Sequence, residues 1–375
     1  MIITLKKKVR YFYKKIIIQI FKQLYNKPKL LGRNQIDNSE YQFKIKLNNK
    51  IYRIFHLVEG SIYTDSNDTT AYVTKNKNLS NASMQYAKFD NINSLNKSVS
   101  QNETLSIGTP KIKKKINGNV LSLLSGGASK DNFTHWFTDV IPRLKIFNKK
   151  FNFKIIDKYY VPSLKYNFQL ESLNFLGIKK NQIISSEEHK HITANNIYAT
   201  SHPCDHHPTK VKKWSLDYIK KIYSITGKRK KYKNIFIDRD QINLIDFKNL
   251  KKSKSFRVLL NEIEIKKFLI SKGFKMIKPE NYSFLDQIKI FSNASCVVGL
   301  YGAAMMMITF CRRNTKILEI KPIKGGNEFK NISKLLKLRH RQINIKPLFK
   351  SSTPQNGLLI CSIKKIKKEL NLKNL

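Results

Sequence analysis

His135 and Asp139 lie four residues apart in a segment that opens with Gly126-Gly127 and closes on Pro142-Arg143. If Asp131 or Asn132 caps a helix there, the two side chains fall at i and i+4 on one face, where a carboxylate can orient an imidazole as a general base. The same spacing fits an ordinary amphipathic helix whose histidine is solvated or packed. A second reactive set lies further on, where Ile235-Phe236-Ile237 reads as a buried strand ending in Asp238-Arg239-Asp240. A guanidinium at a strand end can clamp phosphates and stabilise a leaving nucleotide, whereas a D-x-D triplet can hold a divalent metal against a diphosphate. The two uses disagree about metal dependence.

Gly299-Leu300-Tyr301-Gly302-Ala303 follows an apolar strand, and its glycines allow a sharp turn into a helix whose first amides favour a diphosphate. Glu319 comes twenty residues after Gly299, at the end of the next strand. An acid there accepts hydrogen bonds from ribose hydroxyls or serves as a structural ion-pair partner. Arg257 can help neutralise departing phosphates, and Asn261 and Glu262 open a helix in the same half, where they either contact the phosphate-bearing ligand or cap that helix. His202, Cys204, His206 and His207 share one stretch, and imidazole and thiolate both bind zinc. Two prolines in that stretch read instead as a connecting loop overhanging a cleft.

The blocks occur in a fixed order: Asn132-Phe133-Thr134-His135-Trp136 leading to Pro142-Arg143, the strand ending in Arg239, Arg257 followed by Asn261-Glu262, Gly299 with Gly302-Ala303, and Ile317-Leu318-Glu319. Together they resemble the bacterial members of glycosyltransferase family 61. Gly60-Ser61-Ile62-Tyr63-Thr64-Asp65 and Gly108-Thr109-Pro110 extend the resemblance over residues 60–322. It implies an α/β, GT-B-like fold of two Rossmann-like domains facing a cleft, with inverting transfer of a hexose or pentose from a nucleotide sugar. It places His135 and Asp139 in catalysis, and Arg239, Arg257, Asn261, Glu262, Gly299, Tyr301, Gly302, Ala303 and Glu319 at the donor. Arg239 rather than its flanking carboxylates aligns with the family motif. No metal and no cofactor is therefore expected, the nucleotide sugar being a substrate, with a divalent metal as the lesser alternative. The implied acceptor is a glycan or lipid-linked glycan in capsule or lipopolysaccharide synthesis. One position departs from the pattern: Tyr301 stands where the family has histidine, and tyrosine carries a proton less readily at neutral pH. A catalytically inactive nucleotide-sugar- or glycan-binding homologue is the alternative.

The elements that must hold these groups follow from periodicity. Residues 42–73 alternate apolar and polar with turn signals, which predicts a small β-rich region near the N-terminus, and residues 91–104 read as a polar loop. Residues 120–124 form a strand leading into the His135 helix, and strands near 155–161 and 183–184 flank a helix over 168–176. From residue 235, strands at 274–277, 296–299 and 316–320 alternate with helices over 261–271, 284–292 and 303–310, as in a doubly wound nucleotide-binding domain. This divides the chain into a basic amphipathic helix (1–28), an acceptor-side domain (29–210) and a donor domain (211–375).

The formal charge is +47, from 72 basic against 25 acidic residues among 375. Lysine outnumbers arginine and no helix-turn-helix, zinc-finger or aromatic RNA-binding signature accompanies the charge, so no specific nucleic-acid partner is expected. Cys204, Cys296, Cys311 and Cys361 are scattered without a C-x-x-C pair, which fits a reducing cytoplasm. Ile2, Leu5, Val9, Phe12, Ile16, Ile20 and Leu24 recur at helical spacing with Lys6, Lys7, Arg10, Lys14, Lys15 and Lys22 among them. Such a helix is too broken by charge to span a bilayer; it lies on an anionic membrane surface or docks on the protein itself. The expected location is cytoplasmic and peripheral on the inner face of the cytoplasmic membrane.

Overall fold

The computed structural model describes residues 2–32, 35–65, 69–89, 92–95, 98–124, 130–204, 210–224, 233–250, 256–351 and 353–371. Gly126, Gly127, His206 and His207 lie outside them, as do residues 91, 96 and 97 of the expected 91–104 loop, whose described part instead holds the strand Ile92–Leu95 and the 3-10 turn Val99–Gln101. The chain is α/β and divides into two compact units, Met1–Tyr218 and Ile219–Leu375.

In the first unit, β1 (Glu40–Leu47) and β2 (Lys50–Val58) form an antiparallel hairpin. Its turn residues Asn48 and Asn49 have φ of 45° and 61°, a left-handed pair that asparagine tolerates and that matches strand twist. Strands β3 (Ser61–Thr64), β4 (Thr69–Val73), β5 (Met84–Phe89) and β6 (Ile92–Leu95) continue antiparallel. By contrast β7 (Lys114–Ser122), β8 (Lys158–Val161) and β9 (Ile183–Ser185) run parallel, because helical connections return the chain between them. Strand β10 (His191–Thr200) pairs antiparallel with β2 and β3 and parallel with β7, making one ten-stranded sheet among the described residues. The β-rich region is thus continuous with the α/β part rather than a separate appendage. This unit is a mixed sheet, where a plain Rossmann-like half would be all parallel. Leu57, Ile62, Tyr72, Val120, Tyr160, Ile192 and Ile197 fill its core.

The second unit holds a five-stranded, all-parallel sheet of β11 (Asn234–Ile237), β13 (Lys275–Ile277), β14 (Cys296–Leu300), β15 (Lys316–Pro322) and β16 (Arg339–Ile345), in the order β13-β11-β14-β15-β16. The continuous apolar runs of β11 and β14 suit strands covered on both faces. A two-stranded parallel sheet joins β12 (Arg257–Leu259) to β17 (Gly357–Leu359). Strand order reverses between β11 and β14, and in open α/β sheets ligands bind beyond the carboxyl ends of the strands at that switch point.

Helix Ile2–Tyr25 is fastened at its C-terminal end. The Tyr25 hydroxyl accepts the Lys113 N–H at 3.2 Å, and its ring meets His191 edge-on at 5.4 Å. No helix among the described residues is long and apolar enough to cross a membrane. His191 is buried between Tyr25 and Tyr63, beside Lys111 O and near Lys77 and Lys113. Burial draws its imidazole down from 6.5 to about 4. The unfolded chain therefore binds this proton at a higher pH than the folded one, so stability is fully present above pH 6.5 and falls as pH drops toward 4. Thermal unfolding across that window should show a loss of up to about 3 kcal/mol, and His191→Gln should flatten it. An equally steep slope in the variant would assign the effect to other groups.

Candidate active site

Asn132 starts the first cluster, its side chain accepting the N–H groups of Thr134 and His135 at 2.9 and 3.4 Å. That cap sets the helical turn Phe133–His135, after which Trp136–Val140 widens into a π turn closed by the Ile141 N–H on Trp136 O at 3.0 Å. Pro142 explains the widening. It has no N–H, and in a regular α-helix its ring would collide with the carbonyl four residues back. Trp136 pins the segment by donating its indole N–H to Ser172 Oγ at 2.9 Å.

His135 Nδ1 meets Asp139 Oδ2 at 2.7 Å, with the histidine side chain 18% exposed and the aspartate fully buried. With Nδ1 protonated toward the carboxylate, Nε2 is the ring's accepting nitrogen, which is a general base's arrangement. Thr138 Oγ1 donates to Asp139 Oδ1 at 2.7 Å and Cys204 Sγ lies 3.7 Å from that oxygen. Burial alone would push the Asp139 carboxyl up, but the His135 and His202 imidazoles more than offset it and hold it well below the ordinary carboxylate range. Fully buried Arg143 fixes the backbone behind it, donating Nε to Asp139 O at 3.0 Å and Nη1 to Thr200 O at 2.6 Å.

Asp139, His202 and Cys204 bring their donor atoms within 4.8 Å of one another, the one such group among the described residues with metal-ligand chemistry. The hydrogen bonding argues against a cation there. Cys204 N–H donates to His202 Nδ1 at 3.1 Å, so in the neutral ring Nε2 carries the proton and has no lone pair to give. The lesser zinc alternative gives way to hydrogen bonding for His202 and Cys204, while His206 and His207 lie outside the described residues.

The second cluster occupies the switch point of the parallel sheet. Arg239 follows the end of β11, and Tyr301-Gly302 follows β14. Arg239 Nη1 donates to Tyr301 O at 3.3 Å, and the Arg257 guanidinium stands 4.8 Å over the Tyr301 ring. Gln241 ties the two arginines together: its amide accepts from Arg239 Nη2 and donates to Arg257 O, each at 2.8 Å. A Cβ on Gly302 would lie 2.7 Å from Arg239 Nη1 and 3.2 Å from Arg257 Nη2, so both guanidinium groups converge on this glycine and a side chain there would displace them. Gly299 is similarly constrained beneath them, by Met305 Sδ and Ile237. Burial and the neighbouring Arg257 draw Arg239 down to about 10, and burial lowers Arg257 as well. Two half-buried guanidinium groups that repel each other form a site that an anion of two or more charges would stabilise.

Tyr301 does not project a free hydroxyl. Its O–H donates to Glu328 Oε2 at 2.9 Å, and burial and Glu328 push the phenol up, so it stays protonated. Its carbonyl and ring hold Arg239 and Arg257 in turn. Ala303 opens the 3-10 helix Ala303–Phe310 that follows. The flanking carboxylates are occupied: Asp238 Oδ1 pairs with Lys266 Nζ at 2.6 Å, and Asp240 Oδ2 with Lys278 Nζ at 2.6 Å. Glu262 joins the same network, 3.6 Å from Lys266 Nζ. Asn261 stands at the N-cap of its helix without a side-chain capping bond; its amide exchanges hydrogen bonds with Cys361 across the β12–β17 pair. Glu319 lies in the middle of β15, level with Gly299, fully buried and held by His340 Nε2 at 3.0 Å and Gln342 Nε2 at 2.8 Å. Sequence reading did not single out Gln241, Lys321, Glu328 or the C-terminal strand β17. Lys321 reaches the carbonyls of Gly325 and Gly326 and approaches the Tyr301 ring to 5.9 Å. Specific partners, near and far, give them a role, and no periodic pattern announces it.

Pyrophosphate is the simplest probe of this cluster. Calorimetric titration should show Arg239→Ala weakening its binding at least about tenfold, the effect of losing one charge-assisted contact. Asp240→Ala, which removes a close partner of Lys278 and a more distant one of Lys266, should change it little. Equal losses in the two variants would return the D-x-D triplet to consideration.

A family model described as glycosyltransferase 61 matches residues 133–318, a stretch that contains His135, Asp139, Arg239, Arg257, Tyr301 and Gly302. No curated protein sequence matches the chain. Family membership carries the general requirement for a sugar donor and an acceptor. The chain belongs to glycosyltransferase family 61 and is a transferase by that membership.

Proposed function

We propose that this protein is an inverting glycosyltransferase of GT-B type that moves a hexose or pentose from a nucleotide sugar to a glycan or lipid-linked acceptor in surface polysaccharide synthesis. The observation that carries the reading is the convergence of Arg239 and Arg257 on Gly302 at the switch point of a parallel sheet. Two half-buried like charges are unfavourable until a diphosphate neutralises them, and that need grows as the leaving nucleotide gains charge. With Asp238 and Asp240 paired to lysines, the arginines rather than a metal balance the diphosphate in this account.

The chemistry then requires one base. An acceptor hydroxyl gives its proton to His135 Nε2 as its oxygen attacks the anomeric carbon from the side opposite the diphosphate. The bond from that carbon to the phosphate oxygen breaks, and the electron pair leaves with the nucleoside diphosphate. Asp139 keeps the imidazole in the required tautomer and stabilises the imidazolium that forms. His135→Ala should lower kcat by about 10²–10⁴-fold while leaving donor affinity nearly unchanged. Undiminished turnover would remove His135 from the mechanism, and donor binding without turnover in the unaltered chain would favour the inactive-homologue reading.

The N-terminal helix supports a peripheral membrane location. Val9, Phe12, Tyr13, Ile16, Ile20 and Leu24 are exposed and share one side of Ile2–Tyr25, while Ile18, Phe21 and Tyr25 on the other side are partly buried. The apolar stripe would enter the interface, with Arg10, Lys14, Lys15 and Lys22 near anionic headgroups contributing about 1 kcal/mol each. Replacing Phe12, Ile16 and Ile20 together by glutamate should abolish sedimentation with phosphatidylserine vesicles without changing the unfolding temperature. Retained sedimentation would place the anchor elsewhere or dismiss it.

A further inference from the structure

The segment after β10, Ser201-His202-Pro203-Cys204, is unused by the mechanism as described, yet it delivers two groups to Asp139. His202 is almost completely buried, and its Nε2 lies 3.7 Å from Asp139 Oδ2, the oxygen that holds His135. That Nε2 has no hydrogen-bond partner. Its tautomer is set from the other side of the ring, where the Cys204 N–H donates to Nδ1 at 3.1 Å. A neutral imidazole that accepts at Nδ1 must carry its proton at Nε2. Burial lowers the basicity of His202, and Arg143 and His135 add to this, against the pull of Asp139. The ring is therefore a fixed neutral dipole with its positive end facing the carboxylate. Hydrogen bonds in catalytic sites are often long without substrate and tighten in the complex.

We propose that His202 is a positioning residue for the His135–Asp139 dyad, its Nε2–H sharing Oδ2 with His135 and limiting how strongly Asp139 holds the His135 proton. The inference rests on the reading of His135 as the base. The charged and titratable groups around it are Asp139, Arg143 and His135 on the helical segment, Cys204 on its own segment, and Tyr72, which interacts with Arg143 from β4. Taking away the Nε2–H leaves Oδ2 to His135 alone. The carboxylate then stabilises the imidazolium more fully, His135 keeps its proton to higher pH, and less of the free base is present at neutral pH. Glutamine, whose amide N–H can reach the Nε2 position, should restore the wild-type balance, whereas leucine should not.

The test uses the full chain labelled with ¹⁵N-histidine and long-range ¹H–¹⁵N correlation spectra. In the unaltered protein His202 should appear as the Nε2–H tautomer. His202→Leu should move the His135 titration midpoint upward by on the order of 1 pH unit, and His202→Gln should return it to the wild-type position. With an active donor, the acid limb of kcat should move with it, lowering kcat near pH 6 by about tenfold with donor KM unchanged. An Nδ1–H tautomer at His202, or a folded leucine variant with an unmoved midpoint, would overturn the proposal. The wild-type tautomer decides the matter even if the leucine variant fails to fold. Coupling seen in the spectra of a chain that turns over no nucleotide sugar would contradict the transfer reading and leave the positioning of His135 standing.

Discussion

A carboxylate without solvent contact is costly unless hydrogen donors surround it, and Asp139 meets that condition from both sides. Thr138 and Cys204 face Oδ1, while His135 and His202 face Oδ2. Much of the first unit's local structure serves this arrangement. The Asn132 cap starts the turn, the π turn before Pro142 sets where Asp139 points, and Arg143 anchors the backbone to the end of β10. The segment beyond β10 then closes over the acid. A histidine held this way loses rotational freedom and tautomeric choice together, which is what a base must have settled before substrate arrives.

The second unit presents the complementary situation. Its positive charge is gathered and incompletely balanced: Arg239 and Arg257 crowd one glycine, with the protonated Tyr301 phenol tied to Glu328 beside them. The nearby acids are committed elsewhere, Asp238 and Asp240 to lysines and Glu319 to His340 and Gln342. A parallel sheet places such a cluster at its switch point because the chain turns away to opposite faces there and leaves a crevice. One unit thus satisfies a buried negative charge internally, and the other holds positive charge that a ligand can satisfy. Family 61 membership requires a sugar donor and an acceptor in general, and in the proposed reading the donor is that ligand.

Much of this was legible in the sequence because it is local. The i, i+4 spacing of His135 and Asp139, the strand that ends before Arg239, and the Gly299–Gly302 turn all depend on near neighbours, and the alternation from residue 235 onward predicts the five-stranded sheet's first four members. Long-range pairing was not legible. Asn261 opens its helix as its type suggests, but its side chain bridges to Cys361, 100 residues away. Arg257 sits on β12, a strand that the alternation does not announce, steadied by β17 and by Gln355 O at 3.0 Å. Glu319 looked like a strand-end acid, yet β15 continues past it to Pro322 and covers it with side chains from β16. His202 and Cys204 looked like ligands because their types suit zinc; only the Cys204 N–H on Nδ1 reveals which ring nitrogen carries the proton. A sequence states residue types, whereas a tautomer is decided by a partner.

Hydrogen–deuterium exchange with uridine, guanosine, cytidine and adenosine diphosphates tests the central claim that the arginine pair at the switch point receives the donor. At least one nucleotide should slow exchange in peptides covering residues 237–241 and 299–305, with little change around 132–140. Protection confined to other segments, or none with any of the four, would contradict the account.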